Sequence, residues 1–253
     1  MKNKQLPPGF AILRFPRQIW WIKTGWEQFF PANFSSLSTL AATASIFSPI
    51  GGRSFLQQLP LPDGSCAIVR RYRRGGLVRH FTRDLYWERP FRPLAELVCT
   101  ETARQRGVPT IEVLAAGVER AAMGLYRGLF ISREAEGFMN LWEWLRNKPS
   151  SEERHTVIAT VAQGIERLHS AGVYHADLNL TNILITTKGT QPQVRVIDFD
   201  RARMFPAALQ SSRRKKNLQR LRRSLSKLDP HAQHFSPVDL ETFCRSYRTS
   251  GTG

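Results

Sequence analysis

The apolar positions of the chain alternate with polar ones in several short runs of its first half and take helical spacing in later stretches. Residues 48–72, SPIGGRSFLQQLPLPDGSCAIVRRY, contain two such runs on either side of Pro62-Asp63-Gly64. A Pro-Asp-Gly step supplies the preset and left-handed backbone angles of a tight turn, so the segment predicts strand, turn, strand. From Arg92 to Arg106 the apolar residues Leu94, Leu97 and Val98, followed by Thr102, fall near helical spacing, and Gly107 marks the end. Residues 108–119 and 128–136 return to strand-like patterns. Pro149-Ser150-Ser151-Glu152-Glu153 is a helix entry, with Ser150 or Ser151 able to cap the first free amides. The helix that follows carries Val157, Ile158, Val161, Ile165 and Leu168 on one face and stops near Gly172. Two apolar, β-rich runs come next, residues 173–185 and 194–203, around a polar insert. Before about Pro49 the pattern is weak. The aromatic cluster Trp20, Trp21, Trp26, Phe29 and Phe30 is expected in a core, with a membrane interface as the alternative. No internal repeat or low-complexity segment is evident.

Composition narrows the class. The chain has 253 residues, of which 42% are hydrophobic, so it has enough apolar material for a sizeable core. Its 37 Lys and Arg against 20 Asp and Glu leave a formal charge of +17. That excess predicts a polyanionic neighbour: nucleic acid, a nucleotide, or an anionic membrane surface. Cys66, Cys99 and Cys244 are odd in number and scattered, which suits neither a disulfide framework nor a zinc site, and implies a reducing compartment. The first residues, MKNKQLPPGF, lack the apolar core of a secretory signal. The most apolar stretch, Leu37 to Phe47, is interrupted by Ser38, Thr39, Thr43 and Ser45 and falls short of the ~18–20 apolar residues a spanning helix needs. A soluble or peripheral protein is therefore expected.

The chemistry concentrates in His175-Ala176-Asp177-Leu178-Asn179-Leu180-Thr181-Asn182 and in Asp198-Phe199-Asp200. Phosphoryl transfer needs a carboxylate beside the attacking hydroxyl and oxygen ligands for the Mg²⁺ that bridges nucleotide phosphates. Asp177 answers the first need, and Asn182 and Asp198 the second. An Asn five residues after the Asp, just before the apolar strand Ile183-Leu184-Ile185, lets one loop present both groups, while Asp198 ends the apolar run 194–197. The competing reading is that these residues only shape turns. His175 is expected to hold the loop by hydrogen bonds rather than to take part in chemistry. This pair of segments resembles the catalytic and metal-binding loops of the protein-kinase-like superfamily. The resemblance implies an α+β, two-lobed fold with a β-rich N-terminal lobe and a shortened helical C-terminal lobe. The implied domains are an N-terminal extension packed on the kinase (1–48), an N-lobe with the nucleotide-binding sheet and a helix (49–136), and a C-lobe with the catalytic and metal-binding loops and a basic helix (137–253).

In such a fold the N-lobe carries a phosphate-covering turn, a cation and a helix carboxylate. Gly51 and Gly52 are the candidates for the turn, although two adjacent glycines also suit an ordinary one. Arg70, the last residue of Ala67-Ile68-Val69-Arg70, stands where kinases usually carry Lys, and Arg grips phosphate differently. Glu96 is the preferred partner for it, with Glu101 as the alternative. Asp200 stands where the kinase motif has Gly, and pairing with Arg201 or Arg203 is expected.

A narrower resemblance rests on Arg73-Arg74-Gly75-Gly76, on residues 91–119, on HADLN and IDFDR, and on KKNLQRLRRSLSKL. Together these segments, from about Pro49 to Leu228, are similar to the 3-deoxy-D-manno-octulosonic acid (Kdo) kinases of the bacterial lipopolysaccharide kinase group. That resemblance implies ATP and Mg²⁺ as cofactors and phosphorylation of the 4-hydroxyl of a Kdo residue on Kdo-lipid A. It also implies a peripheral place at the cytoplasmic face of the inner membrane. Arg73, Arg74, Arg79 and Arg83 are candidates to bind the anionic acceptor, with a solvated basic face as the alternative. Residues 213–227 form a basic helix with Leu218, Leu221, Leu225 and Leu228 along one stripe and no acid between Arg201 and Leu228. The stripe is expected to pack on the body and the charges to attract an anionic membrane. Other readings stay open: a lipopolysaccharide heptose kinase, an aminoglycoside-type phosphotransferase, or, from a different class, a nucleic-acid-binding protein. The last lacks any helix-turn-helix, zinc or RNA-sheet signature, so no nucleic-acid partner is expected.

Overall fold

The structure is a computed structural model that describes residues 6–30, 45–47, 56–72, 85–87 and 91–249. The chain divides into two units. One comprises Met1–Glu101 with Glu112–Glu134, the other Thr102–Ile111 with Ala135–Gly253.

The first unit is built on strands β1 (Phe10–Arg14), β2 (Gln18–Lys23), β3 (Ser45–Phe47), β4 (Leu56–Pro60), β5 (Cys66–Arg71), β6 (Tyr86–Trp87), β7 (Val113–Arg120) and β8 (Leu125–Arg133). They form one sheet in the order β1-β2-β7-β8-β5-β4-β3, with β6 paired to β8. Every pairing is antiparallel. Helix α1 (Arg92–Gln105) follows β6, and its last turn, from Thr102, is grouped with the second unit.

Three of these strands, β1, β2 and β3, lie in the stretch 1–48, which the sequence pattern assigns to an extension packed on the kinase. The pattern of β2 is concealed because that strand is covered on both sides. Trp20 joins a core with Ile22, Phe30, Leu59, Val69, Leu114, Leu129 and Ile131. Trp21, facing the opposite way, meets Phe91 with ring centroids 5.7 Å apart, and Phe91 meets Tyr126 at 5.2 Å. A strand buried on both faces shows no alternation. The aromatic cluster is thus core: Trp20, Trp21 and Phe30 are buried, and Trp26 and Phe29 pack against them.

The second unit contains β9 (Met139–Asn140), α2 (Leu141–Arg146), α3 (Ser151–Ser170), β10 (Val173–Tyr174), β11 (Ile183–Thr186), β12 (Gln193–Val196), β13 (Arg203–Met204), α4 (Ser211–Leu228) and α5 (Pro237–Thr249). Ser150 caps α3: its hydroxyl accepts the Glu153 N–H, and the Glu153 carboxylate accepts the Ser150 N–H, a reciprocal capping box. The buried face of α3 is the predicted Val157, Ile158, Val161, Ile165 and Leu168, with Ala162 added. Helix α3 ends where Gly172 takes φ +76°, and a Cβ there would lie 2.5 Å from the carbonyl oxygens of both Phe205 and Ala207. Only glycine permits that approach, which lets the Phe205 N–H donate to the Gly172 carbonyl at 2.8 Å and so sets β10 beside β13. Strands β12, β11 and β9 form a small antiparallel sheet. Residues 108–111 are tied to its edge: the Val196 N–H donates to the Pro109 carbonyl at 2.8 Å, and the Thr110 hydroxyl donates to the Val196 carbonyl at 2.6 Å.

Candidate active site

The loop between β10 and β11 is held by polar groups that leave its chemically useful side chains outward. His175, two residues before Asp177, is fully buried. Its Nδ1 accepts the Asp177 N–H at 3.2 Å, so the ring proton sits on Nε2 and is donated to the Ile197 carbonyl at 3.0 Å. Burial holds this imidazole below its usual pKa, in keeping with a neutral ring that accepts on one side and donates on the other. The ring also meets Phe199 edge-on at 5.2 Å. His175 therefore ties the Asp177 backbone to the segment that carries Asp198.

The backbone of His175 is satisfied by a single side chain from α4. Asn217, fully buried, accepts the His175 N–H on Oδ1 at 3.0 Å and donates Nδ2–H to the His175 carbonyl at 2.6 Å. The same Oδ1 lies 3.2 Å from Nε2 of His169, whose Nδ1 is 2.7 Å from the Tyr247 hydroxyl. His169 is also fully buried, and burial pushes its pKa down to about 4. Two further contacts from α4 reach the loop and the strand before it: Ser224 Oγ accepts the Leu180 N–H at 3.3 Å, and Arg220 Nε donates to the Tyr174 hydroxyl at 3.3 Å.

The turn chemistry of the loop falls to Asn179 rather than to Asp177 or Asn182. Asn179 Oδ1 accepts the N–H groups of Thr181 and Asn182 at 2.9 and 3.0 Å, capping the short helical turn Leu180–Asn182. Asp177 is left exposed. Asn182 Nδ2 donates to the Asp177 carbonyl at 2.9 Å and lies 3.4 Å from the Asp177 carboxylate, which leaves Oδ1 as the atom of Asn182 suited to a cation. Asp198 is brought beside this loop by the β11–β12 pairing, in which Ile183 opposes Val196 and the Ile197 N–H donates to the Asn182 carbonyl at 3.0 Å. Asp198 itself adopts φ +65°, and Arg201 φ +62°, so the left-handed backbone positions flank Asp200 instead of falling on it. A non-glycine residue held in that region costs on the order of 1 kcal/mol, a strain that clusters at functional sites. The Asp198 carboxylate and the Asn182 amide oxygen are hard donors of the type Mg²⁺ takes. Among the described residues no group of three His, Cys, Asp or Glu side chains forms a closed metal cage, and Mg²⁺ does not need one, because it keeps water and phosphate oxygens as ligands.

In the first unit the predicted pair is formed. Arg70, at the end of β5, donates to the Glu96 carboxylate on α1, and the Tyr72 hydroxyl donates to the other Glu96 oxygen. The Glu96 side chain is 1% exposed and that of Arg70 33%. The Arg70 guanidinium is also flanked by the rings of Phe130 and Tyr72, at 5.4 and 5.5 Å from their centroids. Glu101, the alternative partner, accepts the Val113 N–H at 3.0 Å. Gly51, Gly52, Arg73, Arg74 and Arg79 lie outside the described residues, as does Arg83. The residues that sequence reasoning missed are Asn217, Asn179 and Tyr72. A sign of Asn217 was available: it is an amide four residues before Leu221, on the stripe that the helix buries.

Solved structures share this fold. WaaP in complex with acyl carrier protein superposes with a TM-score of 0.62 at 18% identity, covering 91% of this chain and 88% of its own. A glucosamine kinase gives 0.50 at 13% identity, covering 97% and 80%. The architecture is a protein-kinase-like fold. Residues 51–247 match the model of the lipopolysaccharide kinase (Kdo/WaaP) family, and the chain belongs to that family. It is 32% identical over 179 residues to a 3-deoxy-D-manno-octulosonic acid kinase of Vibrio cholerae serotype O1, covering 70% of this chain and 71% of that one. It is 34% identical over 192 residues to the enzyme of the same name from Xylella fastidiosa strain M23, covering 72% and 70%.

Proposed function

We propose that the protein transfers the γ-phosphoryl group of ATP to the 4-hydroxyl of a Kdo residue on Kdo-lipid A, a step of lipopolysaccharide core assembly. The reading is carried by one observation: an exposed Asp177 and an oriented Asn182 on a loop clamped by His175 and Asn217, in a chain of the Kdo/WaaP family.

The residues divide the work. Asp177, fixed through its backbone N–H and carbonyl, accepts the proton of the attacking sugar hydroxyl and orients the oxygen for in-line attack. Asn182 is aligned by its own hydrogen bonds to Asp177, so its Oδ1 and the Asp198 carboxylate would hold Mg²⁺, which when bound neutralises charge on the nucleotide phosphates. In the first unit Arg70 is held by Glu96 and against two rings, and supplies a permanent cation for phosphate. Helix α4 turns Lys215, Lys216, Arg222, Arg223 and Lys227 outward, as a peripheral protein on an anionic inner-membrane surface would need.

The test is transfer from γ-labelled ATP to defined Kdo-lipid A, followed by locating the new phosphate. Label at the Kdo 4-position is expected. Label on a heptose or an aminoglycoside acceptor, with none on Kdo, would replace this reading with another branch of sugar kinases.

A further inference from the structure

The β1–β2 turn, the tip of the β7–β8 hairpin and β6 all come to one end of the sheet in the first unit. Gln18 pairs with Glu119, and Glu119 with Arg127. The Arg120 N–H donates to the Arg17 carbonyl at 2.7 Å, which places the β1–β2 turn against the hairpin. Tyr86 pairs with Tyr126 and Trp87 with Leu125, which places β6 on the hairpin's other side. With strands ~4.8 Å apart, these three segments span roughly 15 Å of a single rim.

That rim carries Phe15 at 45%, Trp87 at 68% and Met123 at 81% exposure, three of the seven large hydrophobics exposed among the described residues. Met123 is presented to solvent from a backbone at φ +60°, a conformation that side chains other than glycine's disfavour. Around the three stand Arg14, Arg17, Arg120 and Arg127, with Glu119 the one acid among the described residues of these segments. Single exposed hydrophobics are ordinary, whereas an aromatic and thioether rim set among arginines is not. The exposed Val238 and Leu240, by contrast, stand beside the exposed acid Glu241. Tryptophan favours the bilayer interface, and arginines are drawn to anionic headgroups there.

We infer that this end of the sheet docks on an anionic bilayer, with Phe15, Trp87 and Met123 entering the headgroup region and the four arginines meeting lipid phosphates. The inference rests on the reading that the acceptor is carried in a membrane. It adds a contact surface distinct from the basic face of α4.

The experiment uses the full chain and vesicles of phosphatidylglycerol with phosphatidylethanolamine, with phosphatidylcholine vesicles as the neutral control. The variant Phe15→Ser, Trp87→Ser, Met123→Ser is expected to pellet with anionic vesicles at least ~10-fold more weakly than wild type, while keeping its circular dichroism and its turnover on a soluble Kdo acceptor. Headgroup-brominated lipid is expected to quench the wild-type tryptophan emission, and Trp87→Phe to remove that quenching. Pelleting of the triple variant equal to wild type overturns the inference, whether that rim then meets an acidic protein or only solvent. So does quenching that survives Trp87→Phe. If charge removal on α4 abolishes pelleting while the triple variant binds normally, this surface is wrong and the membrane reading stands. If wild type ignores anionic vesicles altogether, both fail.

Discussion

Asp177 and Asn217 show two ways in which a single residue matters to the same loop. The first offers a carboxylate to solvent, and the second is sealed away from it. Asp177→Asn keeps the size and the backbone bonds of the loop but removes the proposed proton acceptor, and general-base assistance is worth about 10²–10⁴-fold. A loss of kcat in that range, with an unchanged melting transition, is expected in a labelled-ATP assay. Near-normal turnover would mean that Asp177 is not the acting carboxylate. Asn217→Ala strips two bonds from the His175 backbone and leaves its buried N–H and carbonyl without their partner. Each such orphan costs about 1–3 kcal/mol, so denaturant unfolding should show a loss of about 2–5 kcal/mol. Because the loop loosens rather than the nucleotide's surroundings, kcat should fall by ~10-fold or more with the KM for ATP nearly unchanged. A folded variant that loses stability but keeps kcat would make this amide structural only.

Helix α4 works on both of its faces. Inward, Asn217, Leu221 and Ser224 meet the body, and Asn217 and Ser224 hold the loop between β10 and β11. Outward, it presents only basic and neutral polar side chains. Its length and stripe were legible because Leu218, Leu221, Leu225 and Leu228 keep helical spacing, and the observed helix, Ser211–Leu228, adds little to the predicted span. Its basic residues, however, are not equivalent. Arg214 is turned inward, where it donates to the Leu209 carbonyl at 2.9 Å and pairs with the buried Glu166 at 3.3 Å, and Arg220 bonds Tyr174. Removing Arg214 would disturb the fold. Replacing the exposed Lys215, Lys216, Arg222, Arg223 and Lys227 with Gln should instead weaken sedimentation with anionic vesicles by up to about 10³-fold at low salt, since each can contribute on the order of 1 kcal/mol. Salt should erode the difference, and turnover on a short soluble acceptor should be kept. Undiminished sedimentation would return these charges to an ordinary solvated face.

At the scale of the whole molecule, the buried histidines make stability depend on pH. Burial lowers the His169 pKa from 6.5 to about 4 and moves His175 in the same direction. As pH falls below about 6.5, the unfolded chain takes up protons that the folded chain refuses, so stability is full above that pH and declines down to about 4, where folded His169 also protonates. At about 1.4 kcal/mol per pKa unit, His169 alone accounts for about 3 kcal/mol. Urea unfolding followed from neutral to mildly acid pH should show the midpoint falling, and His169→Gln should flatten the fall. An equally steep fall in that variant would put the proton uptake elsewhere.

Local chemistry made much of this protein readable from its sequence. The capping residues of α3, the Asp63-Gly64 turn and the spacing of Asp177 and Asn182 are short-range features, and each is dictated by neighbours a few residues away. The Arg70–Glu96 pair was also within reach, since a strand end and the next helix can place only a few charges together. What the sequence could not decide was set by contacts between distant segments. β2 was hidden because it is covered on both faces, so burial erased the alternation that marks a strand. The role of Asn217 depends on α4 meeting a loop 42 residues earlier in the chain, and the two directions of α4's arginines depend on what that helix packs against. The backbone reversal at Asp198, rather than at Asp200, follows from the hydrogen bonds of His175 and Asn182 to Ile197. A side chain's identity and spacing limit what it can do, and packing between remote elements decides which of those capacities is buried as structure and which is left open for chemistry.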